Sequence, residues 1–145
     1  MASTPSRVLI VVPALNEEEA ITAVIHEVRS TLPGVRCLVI DDGSTDSTAE
    51  VAAAAGATVA RLPFNLGVGG AMRLGFKYAL ENGYDVVVQI DADGQHDPAA
   101  VPRMLERLEE ADVVIGARFA GEGDYQAQWL RRFAMRTIAA GAPYQ

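Results

Sequence analysis

Asp91 and Asp93 stand two residues apart at the end of the apolar run 86–90. In extended chain, side chains at i and i+2 share a face, so both carboxylates point the same way. Two aligned carboxylates repel unless a cation lies with them. Oxygen-only ligands suit Mg2+ or Mn2+, which take one or two carboxylates together with waters and substrate phosphates. Gln95 and His96 follow at once and are further candidate ligands. The plainer reading of Asp91-Ala92-Asp93-Gly94 is a solvated turn.

Asp41-Asp42-Gly43-Ser44-Thr45-Asp46 closes a second apolar run, 37–40, and Asp46 reads as the cap of a following helix. Alternation sends Asp41 and Asp42 to opposite sides of the strand. One is expected to stay structural while the other reaches a crevice, where a carboxylate accepts hydrogen bonds from ribose hydroxyls or a base N–H. Asn65-Leu66-Gly67-Val68-Gly69-Gly70 opens another helical run. Its free N–H groups suit a phosphate, and its glycines suit close packing. With Ala71 after Gly70 it departs from the dinucleotide fingerprint, and no Walker lysine follows. Ser44 lacks the context of a nucleophile elbow, and neither His26, in the middle of a helical run, nor His96 is placed to serve it.

Such residues need a scaffold to converge. Short β-branched runs at 8–12, 37–40, 86–90 and 113–115 read as strands buried on both faces, with Thr58-Val59-Ala60 a weaker one. Segments of helical period separate them. Ala20, Ile21, Val24, Ile25 and Val28 form one apolar face, with Asn16 and Glu19 as its cap and Pro33-Gly34 as its stop. A second helix starts near Asp46 or Ser47, with Glu50 closing a capping box, and ends at Gly56. A third spans about 67–82 and is expected to bury Val68, Met72, Phe76 and Leu80. A fourth opens at Asp97-Pro98 and carries Val101, Leu105 and Leu108. This alternation predicts an α/β fold: a Rossmann-like, mostly parallel sheet with right-handed crossovers and helices on both faces. Ligands in such sheets bind beyond the carboxyl ends of the strands. Asn16-Glu17, Asp41-Asp42, Asp91 with Asp93, and Arg118 all fall there.

The 145 residues, half of them hydrophobic, suit a single domain spanning 1–145. A formal charge of −7, from 19 acidic against 12 basic residues, argues against binding nucleic acid through a general basic surface. A lone Cys37 excludes a disulfide within the chain or a cysteine-based metal site, and fits a cytoplasmic setting. The apolar runs are far shorter than the roughly 20 residues that span a bilayer. The last segment differs from the body: Arg131, Arg132 and Arg136 accompany an amphipathic stripe of Trp129, Leu130, Phe133, Ala134 and Ile138. The stripe suits a core or oligomer contact, with a homodimer the expected outcome, or an anionic membrane surface on which the protein is peripheral.

Five segments in order strengthen these readings: Val-Pro-Ala-Leu-Asn-Glu-Glu (12–18), Asp-Asp-Gly-Ser-Thr-Asp (41–46), Asn-Leu-Gly-Val-Gly-Gly-Ala (65–71), Asp-Ala-Asp-Gly-Gln-His (91–96) and Gly-Ala-Arg-Phe (116–119). Together they resemble glycosyltransferase family 2, and within it the branch of dolichyl- and polyprenyl-phosphate sugar synthases. The resemblance covers residues 7 to about 138. It implies a GT-A fold and metal-assisted, inverting transfer of a sugar from a nucleotide diphosphate donor to a polyprenyl or dolichyl phosphate acceptor. On that resemblance Pro13, Leu15 and Glu17 line the nucleoside pocket and Asp42 holds the base or ribose. Asp91, Asp93 and Gln95 match the segment that binds Mg2+ or Mn2+ and the diphosphate, and Arg118 matches an arginine facing a phosphate. Val68 stands where many relatives carry lysine. The resemblance also implies further chain after the last residue, so 119–145 is expected to be an incomplete acceptor-side segment of a truncated chain.

A phosphate acceptor is already ionised and needs no general base, in keeping with the lack of an evident base after the acidic segment. Two rival readings are a nucleotidyltransferase, which calls for a basic, glycine-rich triphosphate loop that is missing near the first strand, and a nucleotide-sugar-binding or assembly module impaired in catalysis.

Overall fold

The apolar run at the start of the chain becomes the centre of a sheet. In a computed structural model, which describes residues 7–116, β1 (Val8–Ala14) lies between β2 (Arg36–Asp41) and β4 (Val86–Gln89), and β3 (Thr58–Arg61) completes the order β3-β2-β1-β4. Every pairing is parallel, with Val12 beside Val39 and Ile10 beside Val88. The chain divides into a unit of Met1–Val114 and one of Ile115–Gln145, and the sheet belongs to the first.

Strand alternation sorts the core into two layers. Ile10, Val12, Ala14, Cys37 and Val39 face α1 (Ile21–Thr31), α2 (Thr48–Ala54) and the start of α4 (Val101–Arg107), burying Ile21, Val24, Ile25, Val28, Ala52 and Val101. Leu9, Val11, Leu38 and Ile40 face α3 (Gly67–Glu81). Each large aliphatic side chain taken fully out of water contributes about 1.5–3 kcal/mol. The predicted parallel sheet with helices on both faces is thus the observed one.

Four local expectations are corrected. The face that α3 buries is Ala71, Met72, Gly75 and Ala79, whereas Val68, Phe76 and Leu80 are exposed. Small residues let the helix lie close on the sheet: a Cβ on Gly75 would fall 2.8 Å from Val11 Cγ1. The run 113–115 forms no strand, and Val113 and Ile115 are about half exposed. A β-branched run becomes a strand only by pairing, and among the described strands β4 pairs with β1 alone. Asn16 does not cap α1 with Glu19. It takes a left-handed backbone at φ 52° and its side chain serves another loop, while α1 starts from Ala20 without a side-chain cap. Glu50 closes no capping box either, since its carboxylate lies 3.0 Å from Arg61. The fourth opening is as expected: Asp97 Oδ1 accepts from Ala99 N over a 3-10 turn, Pro98–Ala100.

Candidate functional site

Three neighbouring strands, β2, β1 and β4, end on the same edge, and the residues just beyond them build one cleft of about 300 Å³. Pro13, Leu15 and Glu17 come from the end of β1, Asp42 from β2, Asp91 and Asp93 from β4, and Asn65, Gly67 and Val68 from the start of α3. Six of the eight site residues that the family resemblance assigns therefore meet, and His96, the further candidate ligand, is not among the lining residues. Gln95 is not among the lining residues; its backbone N–H donates to Asp93 Oδ1 at 2.9 Å. Arg118 and the 129–138 stripe lie outside the described residues.

Two loops lock each other to present Glu17. Asn16 N donates to Ser44 Oγ at 2.9 Å, Glu17 N to Thr48 Oγ1 at 2.9 Å, and Thr45 N to Asn16 Oδ1 at 2.9 Å. Glu18 closes the start of α2 from across the loop, accepting from Ser47 N at 2.9 Å. Asp46 accepts from the Thr48 backbone N–H at 2.9 Å and from its hydroxyl. The Thr48 hydroxyl is the main reason that the Asp46 carboxyl is held below its ordinary range.

Asp41 and Asp42 diverge as alternation requires. Asp41 is buried, accepts from Ser44 N at 2.9 Å and lies 3.3 Å from Arg61 Nε. Asp42 turns to the cleft, and its Oδ1 accepts from Leu66 N at 2.7 Å. Gly43, at φ 79°, lets the 64–65 backbone pass so closely that a Cβ would sit 2.7 Å from the Phe64 carbonyl carbon. The 64–68 wall of the cleft thus rests on the end of β2. Sequence reading left the segment 65–71 between phosphate binding and packing; the signal that ties it to the cleft is the Asp42-Gly43 pair, which needs a close partner.

The charge of the cleft restricts its ligands. Glu17, Asp42, Asp91 and Asp93 line it, with no lysine or arginine among the lining residues described. Among the described residues no three His, Cys, Asp or Glu side chains converge as a closed metal cage. Two carboxylates at a cleft edge fit a hard cation that keeps other positions for water and ligand oxygens. His26 is exposed on α1, as its mid-helix place suggests.

The profile of Glycosyl transferase family 2 matches residues 9–143. The chain belongs to glycosyltransferase family 2. Its α/β sheet is shared with GT-A glycosyltransferases of known structure. Glucosyl-3-phosphoglycerate synthase from Mycobacterium tuberculosis, solved with Mn2+, UDP-glucose and phosphoglyceric acid, aligns with a TM-score of 0.61 at 32% identity, over 74% of this chain and 41% of that one. The same enzyme solved with Mg2+ and UDP gives 0.58 at 31%, over 72% and 40%. Among family members of known sequence, an undecaprenyl-phosphate mannosyltransferase of Micrococcus luteus is 43% identical over 117 residues, 77% of this chain and 48% of the relative. A polyprenol monophosphomannose synthase of Mycolicibacterium smegmatis is 33% identical over 140 residues, 92% and 53% respectively. The chain spans about half the length of these curated relatives. Among the described residues no helix is long and apolar enough to cross a membrane.

Proposed function

We propose that this chain binds a nucleotide diphosphate sugar in the cleft and takes part in inverting, metal-dependent transfer of the sugar to a polyprenyl phosphate at a membrane surface. The observation that carries the reading is the acidic lining. A diphosphate has no favourable place beside Glu17, Asp42, Asp91 and Asp93 unless a divalent cation accompanies it, and related structures are described with Mn2+ or Mg2+ together with UDP. The names of the mannosyltransferase relatives support the lipid phosphate acceptor.

In this reading Pro13, Leu15 and Glu17 flank the nucleoside, Asp42 accepts from base or ribose, and Asp91 and Asp93 hold Mg2+ or Mn2+ with Gln95 nearby. Bound there, the cation would offset the charge that develops on the departing diphosphate. A phosphate oxygen of the acceptor attacks the sugar's anomeric carbon opposite the leaving group. The new C–O bond forms as the bond to the nucleoside diphosphate breaks, and no protein base has to remove a proton. Arg118 is assigned to one of the phosphates. Self-association through the 129–138 stripe belongs to the same proposal, and a single monomeric mass by light scattering at about 100 µM would remove it.

A thermal-shift panel of UDP-, GDP- and dTDP-sugars, each with and without Mn2+, tests the reading, because a ligand that binds only the folded chain raises its melting temperature. One nucleotide class stabilising only with metal is the expected result. Binding without transfer to polyprenyl phosphate would leave a donor-binding module; no shift with any member would overturn the reading.

A further inference from the structure

His96 faces Asp91 twice. The Asp91 backbone N–H donates to His96 Nδ1 at 3.0 Å, and Nε2 of the same ring lies 3.5 Å from Asp91 Oδ2. An acceptor must offer a lone pair, so Nδ1 carries no proton and the neutral ring keeps its proton on Nε2, on the side of the carboxylate. Gln89 Nε2 donates to the other oxygen, Asp91 Oδ1, at 3.1 Å. Asp91 is thus approached at its amide and at both carboxylate oxygens by side chains that do not themselves line the cleft. A carboxylate has about four lone-pair sites, which leaves capacity on the cleft side. The turn between them is held by Gln95 N on Asp93 Oδ1, 2.9 Å, so His96 supplies the closure that reaches back to the strand end.

We propose that His96 is a positioning residue for Asp91: its unprotonated Nδ1 fixes the backbone of the 91–96 turn and thereby sets where the Asp91 carboxylate meets the donor's diphosphate and cation. The proposal rests on the donor reading above. Groups that hold a metal-binding side chain from behind change metal affinity by about 10–100-fold when removed. The effect of His96 should fall in that range without its touching the ligand.

The test titrates Mn2+ into the 145-residue chain with UDP or GDP present and follows loss of the free Mn2+ resonance signal in wild type, His96→Leu, His96→Asn and Asp93→Asn. Asparagine places an acceptor oxygen near the position of Nδ1 and lacks the rest of the ring. His96→Leu is expected to weaken Mn2+ binding about 10-fold or more, His96→Asn to recover most of the loss, and Asp93→Asn to remove binding. Where His96→Leu does not fold, His96→Gln, which lacks Nδ1, takes its place with the same expected loss. A long-range 1H–15N spectrum of the metal-free chain reads the ring directly and should show the Nε2–H tautomer. Unchanged Mn2+ affinity in His96→Leu beside a loss in Asp93→Asn would overturn the positioning role and leave the donor reading standing. Mn2+ binding that none of the substitutions alters would overturn both, and an Nδ1–H tautomer would overturn the positioning role.

Discussion

Asp42 Oδ1 accepts the Leu66 N–H at 2.7 Å, tying the end of β2 to the N-cap residue of α3 across 24 residues of chain. Its neighbour Asp41 points the other way, to Ser44 and Arg61. The two acids therefore separate by experiment. Asp42→Ala should weaken nucleotide binding by about 1–3 kcal/mol, the range for a lost hydrogen bond to a charged group. Asp41→Ala should lower stability in urea and leave the affinity of the folded fraction near wild type. Calorimetry and urea unfolding of both variants check the assignment, and the reverse pattern would exchange the roles.

Gly75 should not tolerate a methyl group. An alanine Cβ there would fall 2.8 Å from Val11 Cγ1 and 3.2 Å from its Cγ2, so Gly75→Ala is expected to cost about 1–3 kcal/mol through overpacking. Combined with Val11→Ala the cost should be less than the sum of the single changes, because the two sites share one space. Additive losses in denaturant would place the strain elsewhere.

Burial pushes the Cys37 thiol up to about 11 from 9.0, with Arg29 pulling weakly the other way. The folded chain holds that proton more tightly than the unfolded one. This contribution to stability is complete below pH 9.0 and is lost as pH rises through about 11. Since the thiolate is the nucleophile, an aromatic disulfide reagent at about pH 8 should label Cys37 only as fast as the chain opens. Immediate labelling of native protein would contradict its place between β2 and the helices.

Asp46 has the opposite sign. Held below its ordinary value of 3.8 chiefly by the Thr48 hydroxyl, it stabilises the locked loops above that pH, and the contribution disappears as pH falls through the lower folded value. Asp46→Asn should therefore flatten the acid side of the stability profile. An unchanged acid midpoint in thermal unfolding would show that the loop lock does not depend on this charge.

The sheet was legible because its central strands, β1 and β2, are apolar runs buried on both faces, whereas β3 and β4 are only partly buried; the cleft was legible because polar residues follow three of the strands. What the sequence concealed depended on partners far along the chain. Of the expected α3 face only Met72 is buried; the rest of the buried stripe is Ala71, Gly75 and Ala79, which carry little apolar weight beside Val68, Phe76 and Leu80, yet smallness is what lets the helix approach Val11. The caps were misassigned for a similar reason: Asn16 and Glu18 bond to the 44–48 loop, whereas capping rules search within three residues. His96 was read as an added ligand, and nothing in its spacing revealed that Nδ1 meets the amide of Asp91.

The claim that a cation bridges the acidic cleft and a nucleoside diphosphate is tested most directly by calorimetric titration of UDP and GDP, with and without Mn2+, into wild type and Asp93→Asn. Wild type should bind one nucleotide at least about 10-fold more tightly with metal, a difference of about 1.4 kcal/mol, and Asp93→Asn should lose that increment. Equal affinities and an equal metal response in the two proteins would contradict the account.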